Sequence, residues 1–123
     1  MQKVENVLVH KFLSQQRLSC PAQFQRVFKL GKKIVTPHLT LIFCKNEVNF
    51  PRIGYAISKK LVARAVDRNQ IKRIIRESFR QQQVLVAPVD VVAISRRGIS
   101  QCSKRDIRTG LDTAWKILQT YFE

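Results

Sequence analysis

The segment from Ser58 to Arg80 sets the tightest limit on how this chain can fold. Ile71, Ile74, Ile75, Ser78 and Phe79 recur at i, i+3, i+4, i+7 and i+8, the spacing of a helix with one buried face. At about 100° per residue from Arg68, these positions fall between roughly 240° and 20° on a helical wheel, and Asn69, Lys72, Arg73, Arg76 and Arg80 fall between about 40° and 140°. The chain must therefore cover one face of this helix and leave a continuous cationic stripe beside it. Only Asp67 and Glu77 oppose the eight bases from Lys59 to Arg80. An ordinary solvated face balances its charges with acid–base pairs at i, i+4, whereas here like charges recur at that spacing, Arg68 with Lys72 and Lys72 with Arg76. Such a face points to a polyanionic partner. The preference for Arg suits bidentate contacts to phosphate or to guanine, and Asn69 adds a possible base or 2′-hydroxyl hydrogen bond. The stripe alone does not separate DNA from RNA.

The whole chain carries 23 Lys and Arg against 8 Asp and Glu over 123 residues, a formal charge of +15. At 45% hydrophobic residues it is too apolar for a disordered basic tail, and its length suits a single domain, 1–123. The charge is uneven: residues 1–33 carry +6, 34–51 none, 52–80 +7 and 81–123 +2. The neutral stretch is the most strand-like, so the bases flank a sheet.

Residues 1–16 read as an irregular N-terminal arm. A short helix over roughly 20–30 follows, with Ser19 as N-cap, Pro21 in its first turn, Phe24, Val27 and Phe28 at i, i+3, i+4, and Gly31 as its stop. Strands are expected at Leu39–Phe43, with Ile34–Val35 as an extension interrupted by Pro37, at Arg52–Ile57, and within Val84–Ser95, where Val89, Val91 and Ala93 alternate against Asp90, Val92 and Ile94. Asn46 to Pro51 reads as a turn. Ser103, with Asp106 three positions on, opens a last helix whose face runs through Ile107, Leu111, Ala114, Trp115, Leu118 and Phe122, which makes Trp115 a core residue. Phe24 and Phe28 lie among Arg17, Arg26, Lys29, Lys32 and Lys33. Periodicity leaves two roles open for them, core packing or stacking on single-stranded RNA.

No catalytic or metal-binding set stands out. His10 and His38 lack partners at motif spacing, there is no glycine-rich phosphate loop, no acidic cluster suits magnesium, and Cys20, Cys44 and Cys102, odd in number and far apart with no C-x-x-C pair or nearby His, read as reduced thiols. No signal peptide or membrane-spanning run is present, so a soluble cytoplasmic protein is expected.

Ser58-Lys59-Lys60, followed by Ala65-Val66-x-Arg68-Asn69-x-Ile71-Lys72-Arg73-x-x-Arg76-Glu77-x-Phe79-Arg80, closely resembles the signature of the bacterial ribonuclease P protein subunit. Arg17-Leu18 with Phe24 and Phe28, Pro51-Arg52-Ile53-Gly54 and Asp90-Val91-Val92 match further blocks of that family in order, over roughly residues 17–120. One departure is Gln70, where the family's pattern has Arg.

The resemblance implies an α+β fold, an α-β-β-β-α-β-α two-layer sandwich with a four-stranded sheet and a left-handed βαβ crossover. It implies a non-catalytic subunit of an RNA-based endoribonuclease that removes the 5′ leader of precursor tRNA. It implies further that the chemistry belongs to the RNA and its Mg2+ ions, with no cofactor or metal bound by the chain. Lys59, Lys60, Arg64, Arg68, Asn69, Lys72, Arg73 and Arg76 would face the catalytic RNA, and Phe24, Phe28 and Ile42 would line a cleft for the leader of precursor tRNA. No membrane or small-molecule partner is implied. The composition alone fits a structural or ribosomal RNA-binding protein equally well, and a DNA-binding regulator or a self-sufficient nuclease less well.

Overall fold

In a computed structural model, residues 16–82 and 88–122 are described. The expected N-terminal arm, apart from Gln16, and the start of the last strand candidate at Val84 lie outside them. Helix α1 spans Pro21–Leu30, strands β1, β2 and β3 span Lys32–Val35, Leu39–Lys45 and Arg52–Ala56, helix α2 spans Ala65–Gln82, β4 spans Val89–Ser95 and α3 spans Lys104–Thr120. The order is α-β-β-β-α-β-α, as expected.

The sheet runs β1-β2-β4-β3. β1 pairs antiparallel with β2, β2 antiparallel with β4, and β4 parallel with β3. A parallel pair cannot be closed by a tight turn, so the connection from β3 to β4 has to be long, and α2 supplies it. The segment around Ile34–Val35 is a strand in its own right. It is separated from β2 by a turn in which Thr36 Oγ1 accepts from Leu39 N at 2.9 Å and Thr36 N donates to Leu39 O at 2.8 Å.

Alternation along the strands gives the sheet two apolar faces. On one, Ile34, Leu41, Phe43, Ile53, Val91 and Ala93 meet Ile71, Ile75 and Phe79 of α2 and Leu111, Trp115 and Leu118 of α3. Ser78, a small polar residue within the apolar face of α2, is fully buried because Trp115 Nε1 donates to its Oγ at 2.7 Å and its hydroxyl donates to Asp112 at 2.8 Å. On the other face α1 is the one helix among the described residues, with Val27 on Ile42, Val92 and Leu18. The two-layer sandwich thus carries a partial third layer.

Two helix starts illustrate how capping is decided. Ser103 caps α3 as expected, accepting from Asp106 N at 3.1 Å. For α1 the N-cap is Cys20, not Ser19: Gln23 folds back so that its Oε1 accepts from both Ser19 N and Cys20 N at 3.1 Å. Pro21 then takes the first helical position, where no amide donor is needed. Gly31 ends the helix, its N–H donating to Val27 O at 2.8 Å.

Candidate RNA interface

The chain enters α2 through a turn that exposes its bases by burying its neighbours. Val62 is buried in the main core, and its N–H donates to Ser58 O at 2.9 Å. Ser58 is fixed to β4 by Ser95 Oγ, which accepts from Ser58 N at 2.9 Å. Lys59 and Lys60 are left at the surface. Arg68, just before the stripe, is partly committed to this turn: its NH1 donates to Val62 O at 2.9 Å and to Ala63 O at 2.8 Å.

Along α2, Ile71, Ile75, Ser78 and Phe79 are buried and Ile74 is partly so, which puts Asn69 and Arg73 outside with Lys72 and Arg76 at the margin. Arg64 lies 3.7 Å from Asp67, an exposed pair worth at most a fraction of a kcal/mol. Arg80 holds Glu77 at 2.7 Å, and that hydrogen bond, helped by Arg76 and Arg108, keeps the Glu77 carboxyl below its usual range. Both acids of this segment are therefore turned to Arg64 and Arg80. Among the described residues no carboxylate lies within 4 Å of Lys72 or Arg73. Tyr55 of β3 tucks beside the helix, its phenol pushed up by burial against the opposing pull of Arg76 and Arg17.

The second surface lies across the sheet. α1 covers the row Lys33, Ile42, Val92 and Gly54. Phe24 lies on Gly54, where a Cβ would stand 2.7 Å from its Cζ, so only glycine admits this ring. Phe28 is 47% exposed, with its ring centroid 6.4 Å from that of Phe24. Ile42 is only 5% exposed and packs under Gly31, so it supports α1 from below and presents little surface of its own. The next row on the same face is Val35, Thr40, Ile94 and Ala56, and all four keep exposed surface. These four residues form the open floor beside the phenylalanines. The alternation of Val92 and Ile94 against Val91 and Ala93 is their only local signal in the sequence.

The opposite flank of α1 is closed by charge. Asp90 is buried with Arg52, whose Nε and NH2 donate to its two carboxylate oxygens at 2.7 and 2.8 Å, and it accepts from Asn46 Nδ2 at 2.9 Å. Arg26 reaches the same corner, 3.6 Å from Asp90, with its NH2 donating to Lys45 O at 2.7 Å. Cys44 beside it has its thiol pushed up by burial, partly offset by Arg26.

The two surfaces meet. A hollow of about 500 Å3 is lined by Ala56 and Ile94 of the open row, by Tyr55, Ile57, Ser58 and Ser95, and by Lys72 of the stripe. Among the described residues no group of three His, Cys, Asp or Glu is placed to hold a metal ion, and no helix is long and apolar enough to cross a membrane.

The family model for ribonuclease P matches residues 12–119. The ribonuclease P protein component of Idiomarina loihiensis is 42% identical over 114 residues, covering 89% of this chain and 91% of its own length. That of Nitrosococcus oceani is 38% identical over 104 residues, 85% of this chain and 87% of its own. Among solved structures, the RNase P protein of Staphylococcus aureus superposes with a TM-score of 0.78 at 33% identity, covering 83% of this chain and 94% of that one. The Thermotoga maritima RNase P protein gives 0.71 at 27%, over 84% and 97%. A match of this extent in both sequence and fold means that the chain belongs to the ribonuclease P protein family.

Proposed function

We propose that the chain works as the RNA-binding subunit of a cytoplasmic ribonuclease P, holding the catalytic RNA on α2 and the single-stranded 5′ leader of precursor tRNA beside α1. The observation that carries this is the shared hollow: Lys72 of the cationic stripe and Ala56 and Ile94 of the open row line one depression. Two strands of RNA held on these surfaces approach each other there, and the stripe offsets the phosphate repulsion that would otherwise keep them apart. Phe28, with Phe24 behind it, offers a stacking edge for an extended leader. The cleavage chemistry is assigned to the RNA and its bound Mg2+. On this chain Lys59, Lys60, Arg64, Asn69, Lys72, Arg73 and Arg76 bind and orient RNA, with Arg68 contributing the part of its guanidinium that the preceding turn does not use.

The test is reconstitution with a ribonuclease P RNA, scoring precursor tRNA cleavage at low magnesium. Stimulation that requires both components, and tighter binding of precursor than of mature tRNA, supports the proposal. Cleavage by the chain alone identifies a nuclease. Equal affinity for the two tRNAs fits a structural RNA-binding protein.

A further inference from the structure

At the far corner of the sheet from Lys59 and Lys60, the end of α1, the start of β1, the end of β2 and the end of α3 enclose a cavity of about 260 Å3. It is lined by Leu30, Lys32, Phe43, Cys44, Lys45, Tyr121 and Phe122. Leu30 is 61% exposed and Tyr121 49%, a large apolar exposure for the edge of a small domain. The rings are held from beneath: Phe43 meets Tyr121 edge-on at 5.1 Å and Phe122 at 6.2 Å. Lys32 Nζ stands 5.0 Å from the centre of the Tyr121 ring, and Lys45 Nζ stands 5.8 Å from that of Phe122. Among the described residues no carboxylate lies within 4 Å of Lys29, Lys32, Lys33 or Lys45.

We infer that this corner is a second single-stranded RNA contact, which takes one nucleotide from the distal part of the precursor's 5′ leader. The inference rests on the leader assignment above and extends it beyond the end of α1. Supported aromatic rings with an ammonium group over each fit a base and its phosphate: the half-exposed Tyr121 ring offers a stacking surface, and the lysines neutralise the backbone. Charge decides between occupants. A second copy of this chain brings +15 of its own to a corner that already holds Lys32 and Lys45, whereas RNA brings the opposite sign. The position follows the same helix. Phe24 and Phe28 lie on α1, Leu30 is its last residue, and Lys32 opens the strand after it.

Binding of the reconstituted holoenzyme to precursor tRNAs with short and long leaders tests this. Tyr121→Ala should weaken long-leader binding about tenfold, the scale of one lost stacked base, and leave short-leader binding unchanged. Lys45→Ala should lower the salt dependence of long-leader binding by about one phosphate contact. Tyr121→Phe, which keeps the ring, should retain affinity and guards against misfolding as the cause. Equal losses for both leader lengths, or none for either, overturn the inference, as does a concentration-dependent dimer that Tyr121→Ala abolishes. If the unaltered chain itself does not distinguish precursor from mature tRNA, the leader assignment fails and this one with it. If that preference is present but indifferent to Tyr121 and Lys45, only the corner assignment fails.

Discussion

Arg52 and Asp90 lie opposite each other on parallel strands β3 and β4, and the guanidinium meets the carboxylate through two hydrogen bonds of 2.7 and 2.8 Å. Asp90 is buried, so this pair ties β3 to β4 at the end of the sheet that carries Arg26 and Lys45.

Removing one partner of such a pair strands the other. Asp90→Ala should destabilise the fold by about 3–5 kcal/mol in urea unfolding. Arg26→Ala, which removes the longer and more exposed contact, should cost no more than about 1 kcal/mol. Comparable losses would mean that Arg26, and not Arg52, is the main partner.

Arg68 and Arg73 should separate by assay. Arg68 donates to Val62 O and Ala63 O, so Arg68→Ala should lower thermal stability, by about 1–3 kcal/mol for charged hydrogen bonds, as well as RNA affinity. Arg73 is exposed, so Arg73→Ala should leave the melting temperature unchanged and make the salt dependence of RNA binding shallower by about one unit. An unchanged slope would remove Arg73 from the interface.

Gly54→Ala drives a methyl into the Phe24 ring. The expected cost is about 1–3 kcal/mol of overpacking, measured by chemical unfolding, with weaker binding of precursor tRNA relative to mature tRNA. Retained discrimination in a folded variant would show that the position of Phe24 does not matter to the leader.

The Tyr55 phenol titrates above its ordinary value because burial disfavours the phenolate. A group whose folded pKa is raised lends stability that is whole below the unfolded value, about 10, and fades as pH climbs through the folded one. Unfolding experiments above that pH should show a loss that Tyr55→Phe removes. Among the described residues its buried hydroxyl has no hydrogen-bond partner, so Tyr55→Phe should also be stabilising, by about 1 kcal/mol, near neutral pH.

The α2 helix was legible from sequence because its apolar spacing is a local property that the sheet merely accepts. Trp115 and the Ser103 cap were legible for the same reason. The open row Val35, Thr40, Ile94 and Ala56 was not, since it exists only through the register of four strands that meet across long sequence separations. Ile42 sits on the expected face but in the row that α1 covers, a distinction of one rung that alternation cannot make. Cys20 displaced Ser19 as N-cap because the Gln23 side chain, not the residue type at the cap, satisfies the free amides. Asp90 lies at a strand position that reads as polar and outward, and its burial depends on Arg52, Asn46 and Arg26 arriving from three other segments.

The parallel pairing of β3 with β4 has a kinetic consequence. Pairing these strands requires closing the long connection that holds the 18 residues of α2, so the element that carries the cationic stripe lies inside a long-range contact of the kind that forms slowly. Inorganic anions that screen the stripe ease helix formation before the crossover closes. They should therefore speed refolding in stopped-flow experiments, even in the absence of any RNA.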